Sequence, residues 1–363
     1  MKSKLAGVLA VLGVAVAAAA GLPAPAPAAL PATANGTTTI APMLEAVTPA
    51  VVNIAVTSRA PQVDNPLLRD PFFRRFFNIP DQPPERTQSS AGSGVIVDAR
   101  QGYVITNHHV VENAQQITVT LKDRRRFRAK LVGSDAATDI AVLKIDGDRL
   151  TALPMGDSDR LKVGDFVVAI GNPFGLGQTV TSGIVSALGR SGLRVEGYED
   201  FIQTDASINP GNSGGALVNF SGELIGINTA IIGPAGGSVG IGFAVPTGIV
   251  RAVMEQIVEF GAVRRGRLGV AIQDLTPDIA ESLNVGGNIA DGGGAVIAQV
   301  EPGSPADKAG IKAGDVVVAV DGRPVLSGTA LRNRVGLVRT GTPMQVTLLR
   351  GGAQRTVTVR TAR

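Results

Sequence analysis

The sequence predicts a mostly β protein: a large Greek-key body of barrels or sandwiches followed by a smaller mixed α/β module. Three observations carry that expectation. The 363 residues include 46 glycines but only 4% aromatic side chains, and short Val/Ile runs are bounded by Gly, Asn, Asp or Pro, as in strands joined by tight turns. From Gly94 to about Phe243 such runs recur at close intervals, among them "GYVIT", "QQITVTL", "IAVLKI", "DFVVAIG" and "GIGFAVP", the pattern of an antiparallel all-β body. Then "TGIVRAVMEQIVEFG", Thr247 to Gly261, shifts to helical spacing and stops on glycine, so it closes that body as a helix.

Taken in order, the chain opens with Lys2 and Lys4, an apolar run from Leu5 to Ala20, and the small-residue stretch "GLPAPAPAAL". This is the layout of a secretory signal peptide over residues 1–28, with Ala18-Ala19-Ala20 or Ala26-Pro27-Ala28 suited to cleavage. The run also approaches the about 18 apolar residues that can span a bilayer, so an uncleaved membrane anchor is the alternative; its alanine content weakens that drive. Residues 29–39 read as a flexible lead-in, and ordered structure begins at "APMLEAVTPAVVNIAV". The first folded domain then covers residues 40–262. Within it, residues 58–92 are a long Pro-rich loop holding Phe72, Phe73, Phe76 and Phe77, and loops of that length are usually functional or disordered. The basic run "KDRRRFRAK", Lys122 to Lys130, follows an alternating strand and reads as a solvated hairpin turn, with a patch for an anionic surface as the alternative. "RRGRLGVAIQDL" opens the second unit, residues 263–363. There Ser304 caps a short helix with Pro305 at its first position, Asp307 three residues after the cap and Gly310 at its end. A second helix starts from Ser327, and a hairpin turns at Gly351-Gly352.

Composition excludes several chemistries. With no cysteine there is no disulfide, thiolate nucleophile or thiolate zinc site. The formal charge of +4, about +2 without Lys2 and Lys4, is too small to imply a nucleic-acid partner. Nothing resembles a Gly-x-x-x-x-Gly-Lys phosphate loop, and no cofactor or metal is expected.

Three separated words carry a chemical signal. "TNHHV" holds both histidines of the chain, His108 and His109; "DAATDIAVLKI" holds Asp135 and Asp139; "NPGNSGGAL" holds Ser213. Each alone has a plain reading as turn or surface residues. Together they supply what a serine nucleophile needs: an imidazole to take its proton, a carboxylate to fix and stabilise that imidazole, and glycines that let a substrate backbone approach.

The words, and their order His, Asp, Ser, resemble the chymotrypsin-like serine peptidases. With "GNPFGLGQTVTSGIVSALGRSGL" and "FIQTDASINPGNSGGALVNFSGELIGINTAI" they resemble more closely the HtrA/Deg family of bacterial envelope proteases, over nearly all of residues 40 to 363. The resemblance implies two six-stranded chymotrypsin-like β-barrels followed by one α/β PDZ domain. It places the base at His109, leaving His108 at a variable position, the acid at Asp139 and the nucleophile at Ser213. It implies an oxyanion hole at Gly211, Asn212 and Ser213, formed by the N–H groups of Gly211 and Ser213 with Asn212 shaping the turn. The pocket for the residue before the cleaved bond would involve Ser207, Ile208, Asn228 and Thr229. Ser207 stands where trypsin-like enzymes carry a carboxylate, so small or medium aliphatic residues are the expected preference. In the second unit "GRLGV" resembles a PDZ carboxylate-binding loop, with Leu268, Gly269 and Val270 as donors and Leu331, Val335 and Val338 on the opposite wall. The stretch Gly189 to Asp200 matches the family's sensor loop, with Arg190 as regulatory relay.

The function so implied is an ATP-independent serine endopeptidase degrading or processing unfolded and mislocalised envelope proteins, regulated by C-terminal peptides at the PDZ groove. It would be periplasmic and a homotrimer built partly through residues 40 to 55, touching membrane only if the N-terminal segment stays uncleaved. Only one PDZ-like unit fits before Arg363. The alternative is a chaperone or peptide-sensing scaffold with secondary proteolysis.

Overall fold

The computed structural model describes residues 39–59, 87–173, 177–191, 198–209, 211–231, 239–285 and 293–362. The N-terminal segment and the four-phenylalanine loop lie outside these residues, as does the middle of the sensor loop. A short helix α1 (Ala41–Val47) leads into six strands: β1 (Val51–Arg59), β2 (Thr87–Asp98), β3 (Tyr103–Thr106), β4 (Ala114–Thr120), β5 (Arg126–Asp135) and β6 (Ile140–Lys144). They close as a barrel in the order β1-β2-β3-β6-β5-β4, all antiparallel. Between β3 and β4 lies a single helical turn, α2 (His108–Val111). A second barrel repeats the topology with β7 (Phe166–Gly171), β8 (Thr179–Arg190), β9 (Phe201–Thr204), β10 (Ala216–Asn219), β11 (Leu224–Ile231) and β12 (Gly242–Pro246), ordered β10-β11-β12-β9-β8-β7.

Each barrel is filled by the inward members of its alternating strands, as a two-residue period requires. Val52, Ile54 and Val56 of β1 meet Ile96, Val104, Val119 and Leu143 in the first. Val167, Ala169, Val185, Ile202, Leu217 and Ile225 fill the second. Helix α3 (Thr247–Phe260) then lays one apolar stripe, Ile249, Val250, Val253 and Ile257, against β5 and β6 of the first barrel and β11 and β12 of the second. Gly261 ends it in the left-handed region at φ 75°, returning its N–H to the Ile257 carbonyl at 2.8 Å.

The last module is a six-stranded sheet. Its members are β13 (Val270–Asp274), β14 (Ala295–Val300), β15 (Val316–Val320), β16 (Arg323–Pro324), β17 (Pro343–Arg350) and β18 (Ala353–Arg360), with β13 at one edge. Helices α4 (Pro277–Ser282), α5 (Pro305–Lys308) and α6 (Gly328–Leu337) accompany it. Ser304 and Ser327 cap α5 and α6 as expected, accepting from the Asp307 and Ala330 N–H groups. Helix α3 reaches this module through Gln256, whose Nε2 donates to the Leu337 carbonyl at 3.0 Å.

The basic run departs from the expected turn. Only Lys122 to Arg125 turn; Arg126, Arg128 and Lys130 alternate outward on β5. Arg125 is held by Asp123 and by the Asp148 carbonyl.

Candidate active site

α2 and the turn before β6 bring imidazole and carboxylate together. Asp139 sits at φ 55°, a left-handed turn conformation that aspartate tolerates better than most residues, and this aims its carboxylate back at α2. Its oxygens accept from the His109 backbone N–H at 3.0 Å and from His109 Nδ1 at 2.8 and 3.0 Å. A carboxylate in this position only accepts, so the ring proton sits on Nδ1 and Nε2 keeps its lone pair. The Asn107 side chain donates to the Asp139 carbonyl at 3.0 Å, fastening the turn to the start of α2. His108 faces another way, its Nδ1 paired with Ser134 Oγ at 3.0 Å.

Asp135 has a structural partner set. Its carboxylate, 9% exposed, receives Arg265 Nη2 at 2.7 and 2.9 Å and Thr138 Oγ1 at 2.7 Å. Four positions along the chain therefore lead from this ion pair to the carboxylate that meets His109.

Ser213 lies on the turn entering β10. Its Oγ donates to the Thr229 carbonyl at 3.3 Å, and among the described residues that is its sole hydrogen bond as donor. In the same turn Gly211 has φ 101° and a Cβ there would lie 2.4 Å from Pro173 Cβ, so only glycine fits. The N–H groups of Gly211 and Ser213 make no hydrogen bond among the described residues, whereas the Asn212 N–H is taken by the Asn209 carbonyl at 3.0 Å. Asn212 thus shapes the turn, its N–H already taken within it. Two free backbone donors beside a serine are the equipment for stabilising an oxyanion.

The four residues expected at the specificity pocket differ in burial and in the partners they hold. Ser207 is half-buried, and its carbonyl accepts from Thr181 Oγ1 at 2.8 Å. Ile208, by contrast, is 1% exposed and part of the second barrel's core, because its side chain fills the space left by Gly242. Asn228 is fully buried and spends its side-chain N–H on the Ala216 carbonyl at 3.0 Å. Thr229 has a contact the sequence did not announce: its hydroxyl donates to Asp139 Oδ2. Neither this contact nor the role of Ser93, which grips the Ser213 turn from β2, carries a local sequence signal.

The second module offers a groove of about 400 Å³ lined by Leu268, Gly269, Val270, Leu331, Val335 and Tyr198. Gly269 turns at φ 73° with the loop pressed on Ser304. The Leu268 and Gly269 N–H groups make no hydrogen bond among the described residues, and Val270 opens the edge strand β13. Leu331 and Val335 form the α6 wall, while Val338 lies past the end of α6 and faces a different cavity. Tyr198 comes from the second barrel. Its ring lies against Gly336, beneath the Arg265 guanidinium at 4.5 Å, and its N–H binds the Ala137 carbonyl at 2.8 Å. Arg190 ends β8 and donates to Gln203 Oε1 at 2.9 Å. The cavity that Val338 faces, about 440 Å³, holds Asp200 and Arg334. Burial pushes the Asp200 carboxyl above its ordinary range and pulls the Arg334 guanidinium down, the latter with added repulsion from Arg323.

Comparison with known proteins agrees with both parts. Residues 92–227 match the Trypsin-like peptidase domain and residues 266–361 the PDZ domain. The chain is 52% identical over 316 residues to "Periplasmic pH-dependent serine endoprotease DegQ" of Escherichia coli, covering 86% of this chain and 68% of that protein. It is 50% identical to "Periplasmic serine endoprotease DegP" of Salmonella typhimurium, covering 90% and 72%. Among solved structures it is similar to "HtrA-type protease AlgW with decapeptide", with a TM-score of 0.65 and 46% identity, covering 89% of this chain and 98% of that one.

Proposed function

The chain belongs to the HtrA/Deg family of serine endoproteases, and on that premise we propose that His109, Asp139 and Ser213 are its catalytic triad. The protein is a serine endopeptidase carrying one PDZ domain. The observation that supports the assignment is the meeting of the two barrels' loops: Asp139 on both His109 N–H groups, with Ser213 tethered to the same Thr229 whose hydroxyl holds Asp139.

In the reaction, His109 Nε2 takes the Ser213 proton as Oγ attacks the peptide carbonyl, and Asp139 stabilises the imidazolium. The Gly211 and Ser213 N–H groups receive the carbonyl oxygen as it becomes an oxyanion, each worth about 3 kcal/mol. His109 then gives the proton to the leaving amine, and water releases the acyl group by the same steps. Ser207, small and uncharged, supports cleavage after small or medium aliphatic residues. No nucleotide is used.

Unfolded or mislocalised envelope proteins are the substrates, and the protein is exported to the periplasm. C-terminal peptides bind the groove at Leu268, Gly269 and Val270 by adding a strand to β13, and Arg190 takes part in relaying occupancy. The chain assembles as a trimer; the exposed Phe166, stacked on Phe220 at 5.3 Å on the second barrel, supports an apolar contact there. Denatured casein given to wild type and to Ser213→Ala tests the reading. Turnover by wild type alone, with faster cleavage of Val-ending than Arg-ending reporters, is expected; no turnover by either protein favours a peptide-sensing scaffold.

A further inference from the structure

Ser93 is fully buried in β2, facing the second barrel, and all its polar groups are engaged. Its N–H donates to the Ser213 carbonyl at 2.8 Å. Its carbonyl accepts from Thr106 Oγ1 at 2.7 Å. Its Oγ donates to the Gly211 carbonyl at 2.6 Å while accepting from the Asn172 N–H at 2.7 Å.

The pattern matters because a peptide unit is rigid and trans, so tying its carbonyl also sets where its N–H points. Three consecutive units make the nucleophile's turn. The unit joining Gly211 to Asn212 is tied at its carbonyl by Ser93 Oγ and at its N–H by Asn209. The unit joining Asn212 to Ser213 is tied at its carbonyl by the Gly215 N–H at 2.9 Å, leaving the Ser213 N–H free. The unit joining Ser213 to Gly214 is tied by the Ser93 N–H and by Gly214 donating to Asn228 at 2.8 Å. Ser93 therefore grips the units on both sides of the one that carries the free donor. The turn lies hard against it: a Cβ at Gly214 would come within 2.2 Å of the Ser93 carbonyl.

We infer that Ser93 is a positioning residue for the oxyanion hole, its hydroxyl and N–H clamping the peptide units that flank the Ser213 N–H so that this donor is aimed before substrate arrives. The inference rests on the assignment of Ser213 as nucleophile. It also explains the residue type. Among side chains this small, a hydroxyl both donates to one carbonyl and accepts from one N–H with full strength; alanine does neither, and a thiol does both weakly.

The test uses the full chain as wild type, Ser93→Ala, Ser93→Cys and Ser213→Ala. Steady-state kinetics on a peptide reporter are read beside thermal melts and the affinity of a peptide boronate, whose tetrahedral adduct on the serine occupies the oxyanion hole. Ser93→Ala is expected to lose about tenfold to a hundredfold in kcat, short of the about thousandfold that outright loss of an oxyanion donor can cost. KM should stay within about twofold, as for an interaction realised in the transition state. Boronate affinity should fall in parallel with kcat, with Ser93→Cys between alanine and wild type. If Ser93→Ala does not fold, Ser93→Cys carries the same comparison. A folded variant with wild-type kcat, or one whose loss lies in KM while boronate affinity is unchanged, overturns the inference. Activity persisting in Ser213→Ala would instead overturn the nucleophile assignment.

Discussion

Asp139→Asn exposes the logic of the site most sharply. The carboxylate accepts from the His109 N–H, His109 Nδ1 and Thr229 Oγ1, all of them donors. An amide keeps one accepting oxygen and puts an NH2 group where the other stood. That NH2 faces Nδ1 without clash only if Nδ1 carries no proton, which moves the ring proton to Nε2, the atom that must accept from Ser213. Loss of the correct tautomer costs about ten-thousandfold in kcat in serine peptidases with this constellation, about 5.4 kcal/mol at 1.36 kcal/mol per decade. The backbone should not object, because asparagine is among the residues most tolerant of the φ of 55° found here. Steady-state hydrolysis of a peptide reporter, with a melt to establish folding, reads the effect. A loss of less than about tenfold in kcat, or one carried by KM, would refute the reasoning.

Arg265→Ala should strip the buried Asp135 of the Nη2 group that donates to both its oxygens, costing about 3–5 kcal/mol in urea unfolding; a loss below about 1 kcal/mol would contradict that role. Asp200→Asn should make the protein more stable at neutral pH. Burial raises the Asp200 pKa, so the folded state binds more protons than the unfolded one and Asp200 costs stability above its folded pKa. The gain should shrink as pH falls through that raised value into the ordinary carboxylate range, and melts showing a gain that grows on acidification would reverse the sign of the argument.

Much of this was legible in the sequence for local reasons. Strand alternation, the Gly261 stop and the serine caps at 304 and 327 are short-range signals, and each element they announce is present. The His, Asp and Ser words are also local, which is why three distant segments could be joined on paper. What escaped depends on which side chains the two barrels press together. Thr229 looks like an ordinary strand threonine until its hydroxyl meets Asp139, 90 positions earlier. Ser93 sits in a glycine-flanked strand and acts on residues 118 positions away. Ile208 neighbours Ser207 in the chain, yet its side chain fills the space beside Gly242 in the second barrel's core. Arg265 and Tyr198 come from different units and stack at 4.5 Å, a contact set by domain packing rather than by any motif.

The central claim, that Ser213 is a nucleophile activated by His109, is tested most directly by covalent capture. The full chain is treated with a fluorophosphonate and digested, and the adduct is located by mass spectrometry. A single phosphonyl group on Ser213, abolished in His109→Ala and retained in His108→Ala, is the expected result. Casein cleavage accompanied by no adduct on Ser213, or labelling that survives His109→Ala undiminished, would contradict it.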